Sequence, residues 1–119
     1  MPVPYKRADR VGDLIHRELS WLLLREVKDP RLAGVTITAV EVTADLRHAR
    51  VLFASTGRAG TPEELKGLHS AAGFLRGQLG RALRLRYAPD LTFEVDTSLE
   101  RGLHIAALLK QIADGGTGE

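Results

Sequence analysis

Cysteine is absent from this 119-residue sequence, so a disulfide framework, a thiolate zinc site and a cysteine nucleophile are excluded together. Long apolar runs are missing as well. No stretch approaches the roughly 18 residues of a spanning helix, and the polar first ten residues lack the apolar core of a signal peptide. A cytoplasmic location without membrane association is therefore expected. Asparagine is absent, and glutamine and methionine are scarce, as in some heat-adapted proteins. The Lys and Glu enrichment that accompanies heat adaptation more widely is missing, so growth temperature is not legible. Neither sign of charge dominates, since 17 Lys and Arg face 15 Asp and Glu for a net charge of +2. At 44% hydrophobic and 27% charged residues the chain reads as one soluble folded domain, 1–113, followed by a short flexible tail, 114–119.

What is present is strong periodicity. Val11, Leu14, Ile15, Leu19, Leu22, Leu23 and Val27 recur at helical spacing, which predicts an amphipathic helix over 7–27 that Asp29-Pro30 stops. Residues 35–42 are rich in β-branched side chains, and their apolar set moves from odd positions (Val35, Ile37) to even ones (Val40, Val42). That phase change predicts a bulge near Ala39. Ala49, Val51 and Phe53 share one face of a second strand, antiparallel to the first, and Gly57 and Gly60 end this part of the sheet. Thr61-Pro62-Glu63-Glu64 is a capping box opening a long helix of about six turns, with Leu65, Leu68, Ala72, Leu75, Leu79, Ala82 and Leu83 on its apolar stripe. After Pro89, Leu91, Phe93 and Val95 form a third strand, parallel to the second through a right-handed crossover. Thr97 to Glu100 form a second capping box, starting a last helix with Ile105, Leu108, Leu109 and Ile112 inside. The expected fold is α+β, α-β-β-α-β-α, with a three-stranded mixed sheet covered by helices on one face.

Charge is distributed unevenly along this frame. From Leu65 to Pro89 the chain carries Lys66, Arg76, Arg81, Arg84 and Arg86 and no acid. Thirteen of the 17 basic residues are Arg, which can fork onto phosphate oxygens, although a GC-rich genome gives the same bias. At 100° per residue Lys66, Arg81 and Arg84 point away from the apolar stripe, and Gly73, Gly77 and Gly80 project on the same side. A face of bare backbone and positive charge suits a sugar-phosphate strand. The competing reading is a solvated charged face that tolerates poor helix formers. Lys66, Arg76, Arg81 and Arg84 are the expected phosphate contacts, and Lys6, Arg7, Arg10 and Arg31 are secondary candidates, chosen by charge and position.

Other chemistries find little support. His16, His48, His69 and His104 lack metal-site spacing, no serine sits in a Gly-x-Ser-x-Gly setting, and no glycine-rich phosphate loop follows a strand. The pair Glu63-Glu64 belongs to the cap. No metal, no cofactor and no catalytic group are expected. Trp21 reads as an anchor of the core edge. A protein-interaction module using Trp21 and Leu24 stays open; salt-insensitive binding to a protein would favour it over RNA.

Taken in order, Arg10-Val11, Ile15, Glu18-Leu19, Asp29-Pro30-Arg31, Val35 to Thr38, Val40 to Val42, Asp45-Leu46, Ala49, Val51, Phe93, Asp96-x-Ser98, Gly102, Ile105 and Leu108-Leu109 resemble the bacterial ribosome-binding factor A family. The resemblance covers Arg10 to Ile112. It implies a type II KH-like domain in which an Ala-x-Gly interruption, here Ala71-Ala72-Gly73, kinks the long helix. It also implies a monomer that binds the small ribosomal subunit and its 16S rRNA. Such a protein would assist late maturation of the rRNA 5′ end, with a role in cold adaptation and no catalysis of its own. Many relatives carry a longer basic C-terminal extension, whereas the residues after Ile112 here are glycine-rich and slightly acidic.

Overall fold

Burial of the stripe Val11, Ile15, Leu19 and Leu22 fixes the first helix, α1 (Arg7–Arg25), in a computed structural model that describes residues 6–56 and 58–117. Its first turn is capped from within, the Asp9 carboxylate accepting the Lys6 N–H at 3.0 Å. The helix closes two residues earlier than the periodicity predicts, because the N–H groups of Glu26 and Val27 both turn back onto the Leu22 carbonyl. Pro30 then opens a 3-10 turn (Pro30–Leu32), and Leu32 enters the core.

Strands β1 (Val35–Val42) and β2 (His48–Ser55) pair antiparallel from Val35↔Ser55 to Val42↔Ala49. Their register shifts between Ile37 and Ala39, so Thr38 is the extra residue of a bulge. This is the phase change seen in the sequence, and two side chains hold it. The His16 ring nitrogen Nε2 lies 2.9 Å from the Ile37 carbonyl, and the Thr38 hydroxyl donates to Asp96 across the sheet. Asp96 also accepts the N–H and hydroxyl of Ser98, tying the bulge to the start of the last helix.

The other edge of β2 pairs with β4 (Asp90–Val95), parallel, as in Val51↔Phe93. Beyond the end of β4, the two-residue β3 (Arg58–Ala59) continues that edge by pairing with Ala54 and Ser55. The sequence reading ended the sheet at Gly57 and Gly60; two residues between them pair once more. Gly60 is required there, since a Cβ would lie 2.3 Å from the Phe53 ring. The mixed arrangement of the three main strands and the parallel crossover are those expected, and the short β3 makes the sheet four-stranded.

The crossover is α2 (Pro62–Ala82), and its capping box is complete: the Thr61 hydroxyl accepts the Glu64 N–H, and Glu64 accepts the Thr61 N–H. A cap of this kind is worth about 1 kcal/mol. The second carboxylate oxygen of buried Glu64 accepts the Ser55 hydroxyl at 3.0 Å, so the same side chain pins α2 to β2. Helices α1 and α2 cover one face of the sheet, enclosing Ile15, Leu19, Leu68, Leu75, Leu79, Val51 and Phe53, all fully buried. Burying side chains of this size stabilises the fold by about 1.5–3 kcal/mol each relative to exposure.

The structure corrects three expectations. First, α2 is one continuous helix, so Ala71, Ala72 and Gly73 lie within an unbroken helical run and do not interrupt it. Second, α3 (Ser98–Thr117) opens where expected but leaves Ile105, Leu108, Leu109 and Ile112 exposed, because α1 and α2 already fill the apolar face of the sheet. The Glu100 side chain, the other half of the expected second cap, lies outside the described residues. Helical backbone continues over 114–117, where the tail was expected to begin, and 118–119 lie outside the described residues. Third, Trp21 is 49% exposed and anchors no core edge.

Candidate nucleic-acid interface

The core contacts of α2 determine what it can present outward. With Leu68, Leu75 and Leu79 pointing inward, the helical repeat turns Lys66, Gly73, Gly77 and Arg81 to the opposite side, and all four are exposed. A Cβ placed on Gly73 would meet nothing within 4 Å, and one on Gly77 would meet only the tip of Arg81 at 4.0 Å. These glycines are therefore not packing devices. They leave the helix backbone open to an approaching chain, at a cost of about 1 kcal/mol each against alanine. Gly80 differs, since its Cβ would rest 3.5 Å from that of Ala88, against the loop that follows the helix.

Among the described residues Lys66, Arg81 and Arg84 form no ion pair or side-chain hydrogen bond, so their charges are available to a partner. Arg84 reaches the surface by a different route from the one its helical angle suggests. Helix α2 ends at Ala82, and Arg84 sits past its cap at φ 52°, in the left-handed region where glycine is usual. The Leu85 N–H returns to the Gly80 carbonyl at 3.0 Å and the Arg84 N–H to that of Arg81 at 3.4 Å, which makes the turn a Schellman closure. An arginine held in a conformation that costs it about 1 kcal/mol or more is an observation from which a role can be argued.

The remaining predicted residues divide. Arg76 is already engaged: its Nη2 lies 3.3 Å from the Asp90 carboxylate and its Nε donates to the Ala88 carbonyl at 3.1 Å. It braces the α2–β4 loop and is not a free phosphate ligand. Arg31 is held bidentately by Asp29, with a closest approach of 2.7 Å. That hydrogen bonding lowers the Asp29 pKa below its ordinary value and raises that of Arg31. Ala71 and Ala72 are half-buried and pack against the core, so they belong to the scaffold and not to the contact face. Lys6, Arg7 and Arg10 are exposed around the start of α1. Arg7 borders the C-terminal end of α2, whereas Arg31 lies beside Gly67 near its N-terminal end, so the secondary candidates do not form one cluster.

The open face of the sheet offers no comparable positive surface. Arg50 is its central cation, bridging Glu41 at 2.8 Å and Glu94 at 2.6 Å on the two neighbouring strands. The hydrogen bond to Glu94 is the main cause of its raised pKa. Among the described residues no three metal-binding side chains cluster, and no helix is long and apolar enough to cross a membrane.

The Arg76–Asp90 and Arg31–Asp29 pairs limit what sequence could tell. Asp29 and Arg31 flank a proline at a spacing where pairing could have been suspected, whereas the partner of Arg76 comes 14 residues later through a loop whose path no periodicity gives.

Comparison with known proteins adds independent findings. Residues 7–109 match the family model described as Ribosome-binding factor A. A Ribosome-binding factor A of Syntrophobacter fumaroxidans is 53% identical over 112 residues, covering 91% of this chain and 95% of its own. One from Azotobacter vinelandii is 46% identical, covering 93% and 89%. The crystal structure of ribosome-binding factor A from Thermus thermophilus superimposes with a TM-score of 0.66 at 25% identity, over 73% of this chain and 92% of that one. A homology model of the Thermus thermophilus protein, fitted into an electron cryo-microscopy map of its 30S complex, aligns with a TM-score of 0.63 at 27% identity, over 74% and 92%.

Proposed function

Since the chain belongs to the ribosome-binding factor A family, we propose that it binds the small (30S) ribosomal subunit through 16S rRNA and assists late maturation of the 5′ end of that RNA. In this reading it is a non-enzymatic assembly factor that acts as a monomer in the cytoplasm, with a role in growth in the cold. The observation that carries the reading is the outer face of α2, where unpaired Lys66, Arg81 and Arg84 accompany open backbone at Gly73 and Gly77. Positive charge supplies sequence-independent attraction to phosphates, and the missing side chains let a sugar-phosphate strand lie close to the helix.

The mechanism follows from linkage. A protein that binds one arrangement of an RNA better than the alternatives shifts the population toward it by the difference in affinity, with no bond made or broken. The relative fitted into a 30S complex supports the choice of partner.

The test is crosslinking of the intact protein to immature small subunits, with both peptide and rRNA positions mapped. Crosslinks concentrated on 66–84 are expected. Crosslinks confined to the open face of the sheet, around Glu41, Arg50 and Glu94, would overturn the assignment. Cells whose sole copy carries R81E together with R84E should accumulate 16S precursor with an unprocessed 5′ end, and normal processing in those cells would contradict the maturation role.

A further inference from the structure

Near the C-terminal end of α2 lies a cleft of about 700 Å³, walled by the first turns of α1, the β1–β2 turn and the α2–β4 loop. Four arginines line it (Arg7, Arg47, Arg76 and Arg86), against two aspartates, Asp45 and Asp90. The carboxylates are spoken for within the wall. Asp45 accepts the Thr43 hydroxyl and the Arg47 N–H, and Asp90 holds Arg76. Arg7, Arg47 and Arg86 form no ion pair among the described residues. Beside them Tyr87 is 74% exposed, with the Arg86 guanidinium 5.5 Å from its ring centre. An exposed aromatic ring among unpaired arginines combines the two devices by which proteins hold single-stranded nucleic acid: a platform for a base and cations for the backbone.

We propose that this cleft holds one unpaired ribonucleotide, its base stacked on Tyr87 and its flanking phosphates on Arg7, Arg47 and Arg86. The proposal rests on the reading of α2 as an RNA-binding helix and specifies the kind of RNA it takes. A strand following the helix from Lys66 to Arg81, about 22 Å at the helical rise, would arrive beside Arg84, next in the chain to the cleft residues Leu85 and Arg86. A duplex keeps its bases stacked and could offer this cleft only phosphates, whereas a single strand can turn a base outward. The walls are held ready for such a guest. Arg76 fastens the loop carrying Tyr87 through the Ala88 carbonyl and Asp90, and the Leu46 N–H, returning to the Thr43 carbonyl at 2.8 Å, closes the hairpin tip that carries Arg47.

The experiment measures binding of the intact protein to a fluorescent single-stranded oligouridylate of ten nucleotides and to an RNA hairpin of equal length whose stem is closed by a non-nucleotide linker, so that it offers no unpaired base. It compares the parent with Y87A, Y87F and the double variant R81E/R84E, each checked for an unchanged melting temperature. Y87A should weaken single-strand binding about tenfold and hairpin binding less than about twofold, with Y87F close to the parent. The double variant should weaken both. Single-strand binding by Y87A equal to the parent would overturn the cleft while leaving the α2 reading intact, provided the double variant is weakened. A double variant indistinguishable from the parent on both RNAs would instead remove the α2 reading. Equal losses on both RNAs for Y87A, or no binding of the single strand by the parent, would likewise overturn the stacked nucleotide.

Discussion

Arg84 occupies the position after the α2 cap where a glycine would fit without strain, and it does so at φ 52° with its guanidinium unpaired among the described residues. Replacing it with glycine relieves the left-handed conformation but increases the freedom of the unfolded chain, so R84G should stabilise the protein by about 0.5–1 kcal/mol. Thermal unfolding should show a melting temperature about 2–5 °C higher. The same variant should bind small subunits more weakly, having lost one phosphate contact; a rise in stability with undiminished binding would show that Arg84 contributes nothing to the interface. Asp29 is a second residue whose chemistry can be read out. Hydrogen bonds from the Arg31 side chain and backbone hold its pKa below the ordinary 3.8. Because the folded value is the depressed one, the pair's contribution is complete above pH 3.8 and fades as pH falls through the folded value. Carboxyl NMR titration should give a midpoint below 3.8 that moves up toward it in R31A, and a midpoint unchanged by R31A would contradict this cause.

At the scale of elements, α2 performs two tasks on opposite sides. Its leucines close the core, and its glycines keep the outer side bare. Gly73→Leu separates the tasks. There is open space for the side chain, and leucine favours helix over glycine by up to about 1 kcal/mol, so stability should hold or rise. Subunit binding should fall, because the added side chain stands where a backbone would lie. Full retention of binding by this variant would make the bare face incidental. Much of this element was legible in sequence: the capping box at Thr61 and Glu64 and the leucine stripe are local patterns, as is the phase change that marks the bulge at Thr38. What the sequence misplaced depends on distant partners. The apolar residues of α3 look like core by periodicity, yet whether they are buried depends on the space left by α1 and α2. The path of the chain past Ala82 depends on a Schellman turn that an arginine does not announce. Ala71, Ala72 and Gly73, implied by resemblance as an interruption, form continuous helix.

Over the whole molecule, charge pairing separates surfaces that composition cannot. A net charge of +2 says little about partners. The sheet face satisfies its central arginine with two glutamates, whereas the outer side of α2 and the cleft at its end keep cations unpaired. Folding thus converts a nearly balanced composition into one interior-facing layer, one neutralised face and one cationic flank. The fold was legible because element order and periodicity nearly determine it. The division of arginines into braces, such as Arg76 and Arg31, and free cations, such as Arg81 and Arg84, was not, because pairing is settled by tertiary distances.

The central claim is that the cationic flank of α2 is the RNA contact, and the direct measurement is affinity for purified small subunits across a salt series, parent against R81E/R84E. Affinity of the parent should fall steeply with salt, and the double variant should bind more weakly with a log–log slope shallower by about 1.5, the share of two phosphate contacts, at an unchanged melting temperature. Equal affinity and equal slope in the two proteins would contradict the account.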